Sequence, residues 1–159
     1  MRLSRPLILA IVPLALAACR DDQATRPGLA AYNLDSKGLA LDGYSPVSYF
    51  DPGKAERGDP AHSLTVRGIT YLFTSAAQAT AFAKDPERYE PQCGGWCAYG
   101  MAVGIRWKSD PENFKVIDGK LFLFSRTKDA DARRLWDHEE DQAALVDRAE
   151  RYWRSTLSD

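Results

Sequence analysis

Hydrophobic and polar positions along the chain predict two antiparallel hairpins. The β-prone runs 63–66 and 69–73 flank Arg67-Gly68, a two-residue turn in which glycine accepts a positive φ. Further along, runs 114–117 and 121–124 flank Asp118-Gly119-Lys120, the clearest hairpin signal in the sequence. A further β-prone run over 47–50 follows a turn and predicts a short strand of its own.

Helical spacing follows each predicted hairpin. Ser75, with Gln78 three residues later, forms a capping box that predicts the start of a helix. Residues 128–137 and 139–156 carry apolar side chains at helical spacing. The first of these two helices is expected to bury one face made of Ala132, Leu135 and Trp136. Short strands and helices without a βαβ rhythm or an internal repeat predict a small compact α+β domain with a C-terminal helix.

The N-terminus has the pattern of a bacterial lipoprotein signal. Arg2 and Arg5 precede an apolar run over 7–16, which is too short to span a hydrocarbon core of ~30 Å. The run ends in Leu16-Ala17-Ala18-Cys19, which resembles the bacterial lipobox. We therefore predict lipid attachment at Cys19. The alternative is an ordinary cleaved signal followed by a chance cysteine.

This prediction determines the compartment and the domain organisation. Residues 1–18 are the predicted signal peptide, 19–38 a polar lipidated tether, and 39–157 the domain. The domain would face the periplasm, anchored to the inner or the outer membrane. The periplasm is oxidising. If Cys19 is lipidated, Cys93 and Cys97 are the two cysteines of the chain that remain free.

Charge and motif content argue against several classes of function. The formal net charge is −1, and a weak, mixed charge offers no electrostatic footprint for nucleic acid. The sequence has no G-x-S-x-G elbow, no H-E-x-x-H helix and no glycine-rich phosphate loop. We therefore expect a module that is not a conventional enzyme and does not bind nucleic acid.

Several motifs, in their order along the chain, resemble the YHS domain family and more narrowly its stand-alone secreted members. They are GYSPVSYF (43–50), GITYLFTS (68–75), FAKDPERY (82–89), PQCGGWCAYGMAVG (91–104), DPENFKVIDGKLFLF (110–124) and Trp136. The resemblance covers nearly the whole predicted domain. It implies an accessory module, because members of the wider family occur beside metal-transporting ATPases and oxygenases and are associated with heavy metals.

Two departures from the family pattern bear on the metal assignment. Metal-associated members carry cysteines at the junction that corresponds to 73–77, which contains no thiol here. Secreted members usually have tyrosine where Cys93 stands, whereas Cys97 matches the family position. The usual metal ligands therefore cannot be transferred to this chain.

The two thiols themselves suggest a soft-metal site. The C-x-x-x-C spacing of Cys93 and Cys97, with two glycines between them, allows a tight turn. If 97–101 is helical, Met101 lies on the same face as Cys97. Two thiolates and a thioether favour Cu(I) over hard cations, and copper is the cofactor that this set suggests. A histidine ligand would have to be His62 or His138, the only two in the chain.

Three hypotheses remain open on these residues. The first is a membrane-anchored, non-enzymatic module that binds a soft metal ion or a small ligand near 93–101. Its candidate ligand-approach loop consists of Gly94, Gly95, Trp96 and Tyr99. The second is a thiol–disulfide redox protein that uses Cys93 and Cys97. The third is a structural lipoprotein, or one that binds an envelope protein, in which a Cys93–Cys97 disulfide stabilises the loop.

Overall fold

A computed structural model describes residues 28–157. The predicted signal peptide over 1–18 and the predicted lipidation site Cys19 lie outside the described residues. Within the part of the chain that is described, no helix has both the length and the apolar character needed to cross a bilayer.

Within residues 28–157, two antiparallel hairpins and five α-helices confirm the predicted α+β architecture with its C-terminal helix. The strands are β1 (Asp59–Val66), β2 (Ile69–Phe73), β3 (Asp110–Ile117) and β4 (Lys120–Phe124). The helices are α1 (Ala76–Lys84), α2 (Pro86–Tyr89), α3 (Ala98–Ala102), α4 (Ala132–His138) and α5 (Gln142–Ser155). Strand β1 pairs with β2 and β3 pairs with β4, each as a separate two-stranded sheet.

Strand β4 is buried on both faces and separates two parts of the core. Leu121 and Leu123 pack into a cluster with the aromatic side chains of the first hairpin. Phe122 and Phe124 point the other way, into a cluster built around Trp136. Because successive side chains of a strand alternate between its faces, one short strand serves both clusters.

The helix starts follow the predicted capping chemistry. The side chain of Ser75 accepts a hydrogen bond from the Gln78 amide at the start of α1, as the capping box predicts. The Gln78 side chain, however, accepts from the Thr74 amide at 3.2 Å and from the buried Ser45 hydroxyl at 2.7 Å. Gln78 therefore ties α1 to the core as well as capping it.

Two local predictions were wrong. Residues 47–50 form a helical-type turn, not a strand, because the amides of Phe50 and Asp51 both bond to the Val47 carbonyl. The apolar bias of this run reflects core packing, since Tyr49 is buried and donates its hydroxyl to the Pro111 carbonyl at 3.0 Å. Leu135, expected on the buried face of α4, is 44% exposed, whereas its neighbour Trp136 is fully buried.

The backbone contains a repeated unit that is not evident in the amino-acid sequence. Both hairpins have the same register: an Asp opposite the last Phe, then a bulge, then a two-residue turn with positive φ at both positions. Each hairpin is followed by a helix, α1 or α4, and preceded by three consecutive residues with positive φ. These residues are Leu41–Asp42–Gly43 in the first unit and Cys93–Gly94–Gly95 in the second.

The repeat escapes detection because few residue types are shared. The two hairpin segments, 59–73 and 110–124, have in common mainly their Asp-Pro start, one turn glycine and the final Leu-Phe. The backbone equivalence places Cys93 where the first unit has Leu41 and Cys97 where it has Ser45. The amides of Ser45 and Cys97 bond to equivalent carbonyls, those of Glu56 and Trp107.

Residues 29–38, part of the predicted tether, lie against the domain. The carbonyl of Ala31 accepts a hydrogen bond from Trp96 Nε1 at 2.7 Å. The amide of Asn33 donates to the Gly94 carbonyl at 2.8 Å. Polar composition made this stretch look like a linker, but its backbone groups bond directly to the thiol-containing turn.

Burial of Trp136 predicts a large stability contribution from α4. Replacing Trp136 with Ala should lower the free energy of unfolding by about 3–5 kcal/mol, because the side chain fills the core between β4 and α5. The matched control Leu135→Ala, on the exposed side of the same helix, should cost less than about 1 kcal/mol. Denaturant unfolding measures both, and equal losses would contradict this account of the core.

Candidate functional site

A left-handed turn begins at Cys93 and ends two residues before Cys97. Cys93, Gly94 and Gly95 have φ values of 55°, 60° and 81°, a region that glycine tolerates and other residues rarely adopt. The turn follows a parallel bridge between Pro91 and Leu121 of β4, and a second parallel bridge joins Cys97 to Leu123. Segment 91–97 thus runs beside β4 and loops out between two fixed points.

Side chains from distant parts of the chain hold this turn in place. The Gly95 carbonyl accepts hydrogen bonds from Asn33 Nδ2 at 3.0 Å and from Ser109 Oγ at 2.7 Å. The Cys93 carbonyl accepts from the Trp96 amide at 3.1 Å. With the bond from the Asn33 amide to the Gly94 carbonyl, every carbonyl of the turn has a partner, which stabilises the backbone conformation of the turn.

Aromatic side chains of the chain itself pack in and around the predicted ligand-approach loop. A Cβ atom at Gly94 would overlap the indole ring of Trp153 on α5, so only glycine allows this close contact. The indole of Trp96 is engaged with the Ala31 carbonyl, and Tyr99 packs at the edge of the Trp136 cluster. Gly95 lies against Pro91 and Asn33.

Cys97 performs a structural task. Its Sγ accepts a hydrogen bond from the Gly100 amide at 3.4 Å and so caps the N-terminus of α3. The condition that 97–101 is helical is met, since the Met101 amide bonds to the Cys97 carbonyl at 2.9 Å. The thiol is fully buried among Phe122, Phe124 and Trp136.

Cys93 lies in a different environment. It shares a small buried cluster with Met101 and Ala149, against which Trp153 packs. Cys93 is 3% exposed, and it also lines a surface groove of about 330 Å³ between the turn and α5. Of the two cysteines, Cys93 is therefore the residue that lines space open to solvent.

The rim of this groove carries charges of both signs in ion pairs. Glu150 bonds to Lys120 Nζ at 3.2 Å and lies 3.7 Å from Arg154 Nη1. Glu90, also on the rim, pairs with Arg67 at 2.5 Å. The charges largely compensate one another, so the groove presents a neutral entrance rather than a strong field.

Both thiols are protonated at neutral pH. Burial raises the pKa of Cys93 to about 12, and the nearby Glu150 carboxylate adds to the shift. Burial also raises the pKa of Cys97, although the Gly100 amide opposes that shift by stabilising the thiolate.

The candidate ligands are only partly brought together. Cys93 and Met101 share one cluster, Cys97 belongs to the next, and both cysteines are free thiols. His62 lies half-buried on β1 and His138 lies exposed at the end of α4; neither lines the groove. Among residues 28–157, no three histidine, cysteine or acidic side chains converge as a metal-binding group.

Sequence reasoning missed several residues that shape the site. Glu150, Trp153 and Arg154 follow the i, i+3, i+4 spacing of one helix face, a signal that could have identified the α5 side of the groove. Asn33 and Ser109 give no local signal, because their roles depend on contacts between residues 62 and 14 positions apart.

Comparison with known proteins adds no relative: no family model matches the chain, and no curated protein or solved structure does. The resemblance to the YHS domain family therefore rests on the sequence motifs alone.

Packing around two glycines with positive φ predicts that replacing each with alanine lowers the free energy of unfolding by different amounts. Gly104 has a φ of 78° and no atom within 4 Å of an added Cβ, so Gly104→Ala should cost only the backbone strain of about 1–2 kcal/mol. Gly94→Ala adds a clash with Trp153 and should cost clearly more. Denaturant unfolding compares the two variants, and equal costs would show that Trp153 does not pack on Gly94.

Proposed function

We propose that this chain is a lipid-anchored, non-enzymatic module of the YHS type that faces the periplasm and binds a soft, copper-like metal ion at Cys93. The observation that carries the proposal is the position of Cys93, which lines the groove and shares a buried cluster with the Met101 thioether. Anchoring at Cys19 would keep this site at the membrane surface.

The donor chemistry fits a soft ion of low coordination number. Cys93 supplies a thiolate once its proton leaves, and Met101 supplies a thioether from the same cluster. Sulfur ligands in apolar surroundings favour Cu(I), whereas Mg²⁺ and Ca²⁺ require several oxygen ligands. Cys97 is not needed as a ligand, since its sulfur caps α3. The bound ion would be held or passed on, without chemistry on a substrate.

The thiol–disulfide alternative is weaker on electrostatic grounds. Reactive redox cysteines have a lowered pKa in electropositive surroundings, whereas burial raises the pKa of both thiols here. The stabilising-disulfide alternative has to account for the Cys97 sulfur, which is engaged with the Gly100 amide while both cysteines are free. Cu(I) titration and reduction of any Cys93–Cys97 disulfide distinguish both alternatives from the metal site.

Metal binding should depend on one cysteine and not on the other. In a competition titration of the reduced protein against a chromophoric Cu(I) chelator, Cys93→Ser should abolish binding and Met101→Leu should weaken it. Cys97→Ser is the matched control and should retain Cu(I) binding, because the serine hydroxyl can also accept the hydrogen bond from the Gly100 amide and cap α3.

Equal loss in both serine variants would point to a site that uses the cysteine pair. If the wild-type protein does not bind Cu(I), the metal proposal is rejected. In that case, a reversible Cys93–Cys97 disulfide with a measurable reduction potential would support the redox alternative, and a disulfide that resists reduction in the folded protein would support the structural one.

Proton release predicts the pH dependence of Cu(I) affinity. The Cys93 thiol, with its pKa raised to about 12, must lose its proton when the metal binds. Below that pH, the apparent affinity should therefore rise about tenfold for each unit of increase in pH. The titration repeated at several pH values, corrected for the chelator's own protonation, measures this slope. A flat profile would show that the Cys93 thiol is not the ligand.

A further inference from the structure

Exposed apolar side chains are concentrated in the loop that follows α3. All residues of the 103–108 loop are exposed, and Val103, Ile105 and Trp107 are 47%, 45% and 38% exposed. Only three other large hydrophobic residues within 28–157 are comparably exposed: Leu29, Val116 and Leu135. Leu135 lines the same cavity as Trp107, about 540 Å³ in volume, and so extends the apolar surface of the loop.

The backbone holds this loop in its projecting conformation. The Ile105 amide bonds to the Gly100 carbonyl at 2.8 Å, and the Trp107 carbonyl accepts from the Cys97 amide at 3.0 Å. Gly100 has no side chain, which allows the Trp107 ring to lie against α3. At the tip, Gly104 has open space around it. The apolar side chains are therefore displayed by a fixed loop base.

Basic residues alternate with the apolar ones. Arg106 lies over the Trp96 ring at 5.5 Å, and Lys108 forms a 3.2 Å ion pair with Asp42 while its side chain stays 64% exposed. Aromatic and aliphatic side chains next to lysine and arginine are the combination that favours the interface of an anionic bilayer. A cationic rim is less suited to burial against a second copy of the same loop.

The loop lies beside the point at which the described chain begins. Arg106 Nη1 donates to the Ala30 carbonyl at 3.3 Å, and the adjacent Ala31 carbonyl accepts from Trp96. The chain between Cys19 and Gly28 can span at most about 30 Å when fully extended. A lipid on Cys19 would therefore hold this face of the domain near the membrane.

We infer that the 103–108 loop docks onto the anionic phospholipid surface to which the chain is anchored, and so orients the domain. The inference rests on the proposed lipid anchor. Three apolar side chains bind a bilayer weakly by themselves, but the anchor converts docking into an intramolecular step with a high effective concentration.

The experiment uses the mature lipidated protein reconstituted in phosphatidylglycerol-containing vesicles whose acyl chains are brominated to quench nearby tryptophans. Trp107 should be quenched, so wild-type emission should fall relative to unbrominated vesicles. Trp107→Phe should lose most of that decrease, because Trp136 is fully buried and the indoles of Trp96 and Trp153 are partly buried. Ile105→Asp should suppress the quenching, and Val116→Asp, at a similarly exposed site on β3, should not.

Flotation of the same vesicles separates the two levels of the proposal. Protein that fails to float would overturn the lipid anchor itself. Protein that floats without quenching of Trp107 would overturn the docking of the loop onto the bilayer. That result would indicate that this face binds another protein instead of lipid. Quenching of equal size in vesicles of phosphatidylcholine alone, or in the Arg106→Gln/Lys108→Gln variant, would overturn the role of charge.

Discussion

Burial of β4 on both faces is the constraint on which the rest of the domain depends. Leu121 and Leu123 complete the core of the first hairpin, while Phe122 and Phe124 pack against Trp136 in a second cluster. A strand this short, buried on both sides, needs partners along its edges. Strand β3 supplies one edge, and parallel bridges to Pro91 and Cys97 supply part of the other. Segment 91–97 takes six residue steps to cover the distance that β4 covers in two, from Leu121 to Leu123, so its middle loops out in the left-handed turn.

The different environments of the two thiols follow from that turn. Cys97 lies at a bridge to β4, where its sulfur is buried and caps α3. Cys93 lies within the turn, four residues earlier, and faces α5 and the groove. The first unit of the fold has Leu41 and Ser45 at the equivalent positions, and both positions are buried in both units. A soft-metal site at Cys93 would be an addition to a structural framework that does not require a thiol.

Local chemistry made much of the fold predictable. Arg67-Gly68 and Asp118-Gly119 give two-residue turns with positive φ at both positions, and flanking β-prone runs fix the hairpins around them. Ser75 caps α1 as its spacing to Gln78 predicts. Residues 47–50 were predicted as a strand because valine, tyrosine and phenylalanine favour strands. The same residue types also occur in a buried turn, so composition alone does not distinguish the two.

The candidate site was less predictable because it depends on contacts between distant residues. The spacing of Cys93 and Cys97 shows that they are close in the chain, but it does not show that the left-handed turn directs them into different clusters. Asn33 looked like part of a tether, and only the folded chain brings it to the Gly94 and Gly95 carbonyls. The repeated unit is carried by backbone conformation, with too few shared residue types for sequence comparison to reveal it.

The central claim is that the two thiols differ in their access to the groove, and differential alkylation of the native reduced protein tests it most directly. A small thiol reagent is added at mildly alkaline pH, and peptide mass spectrometry follows the labelling of each cysteine with time. The account predicts slow labelling of Cys93 through the groove, while Cys97 stays unlabelled until the protein unfolds. Labelling of both cysteines at the same rate, or of Cys97 first, would contradict it.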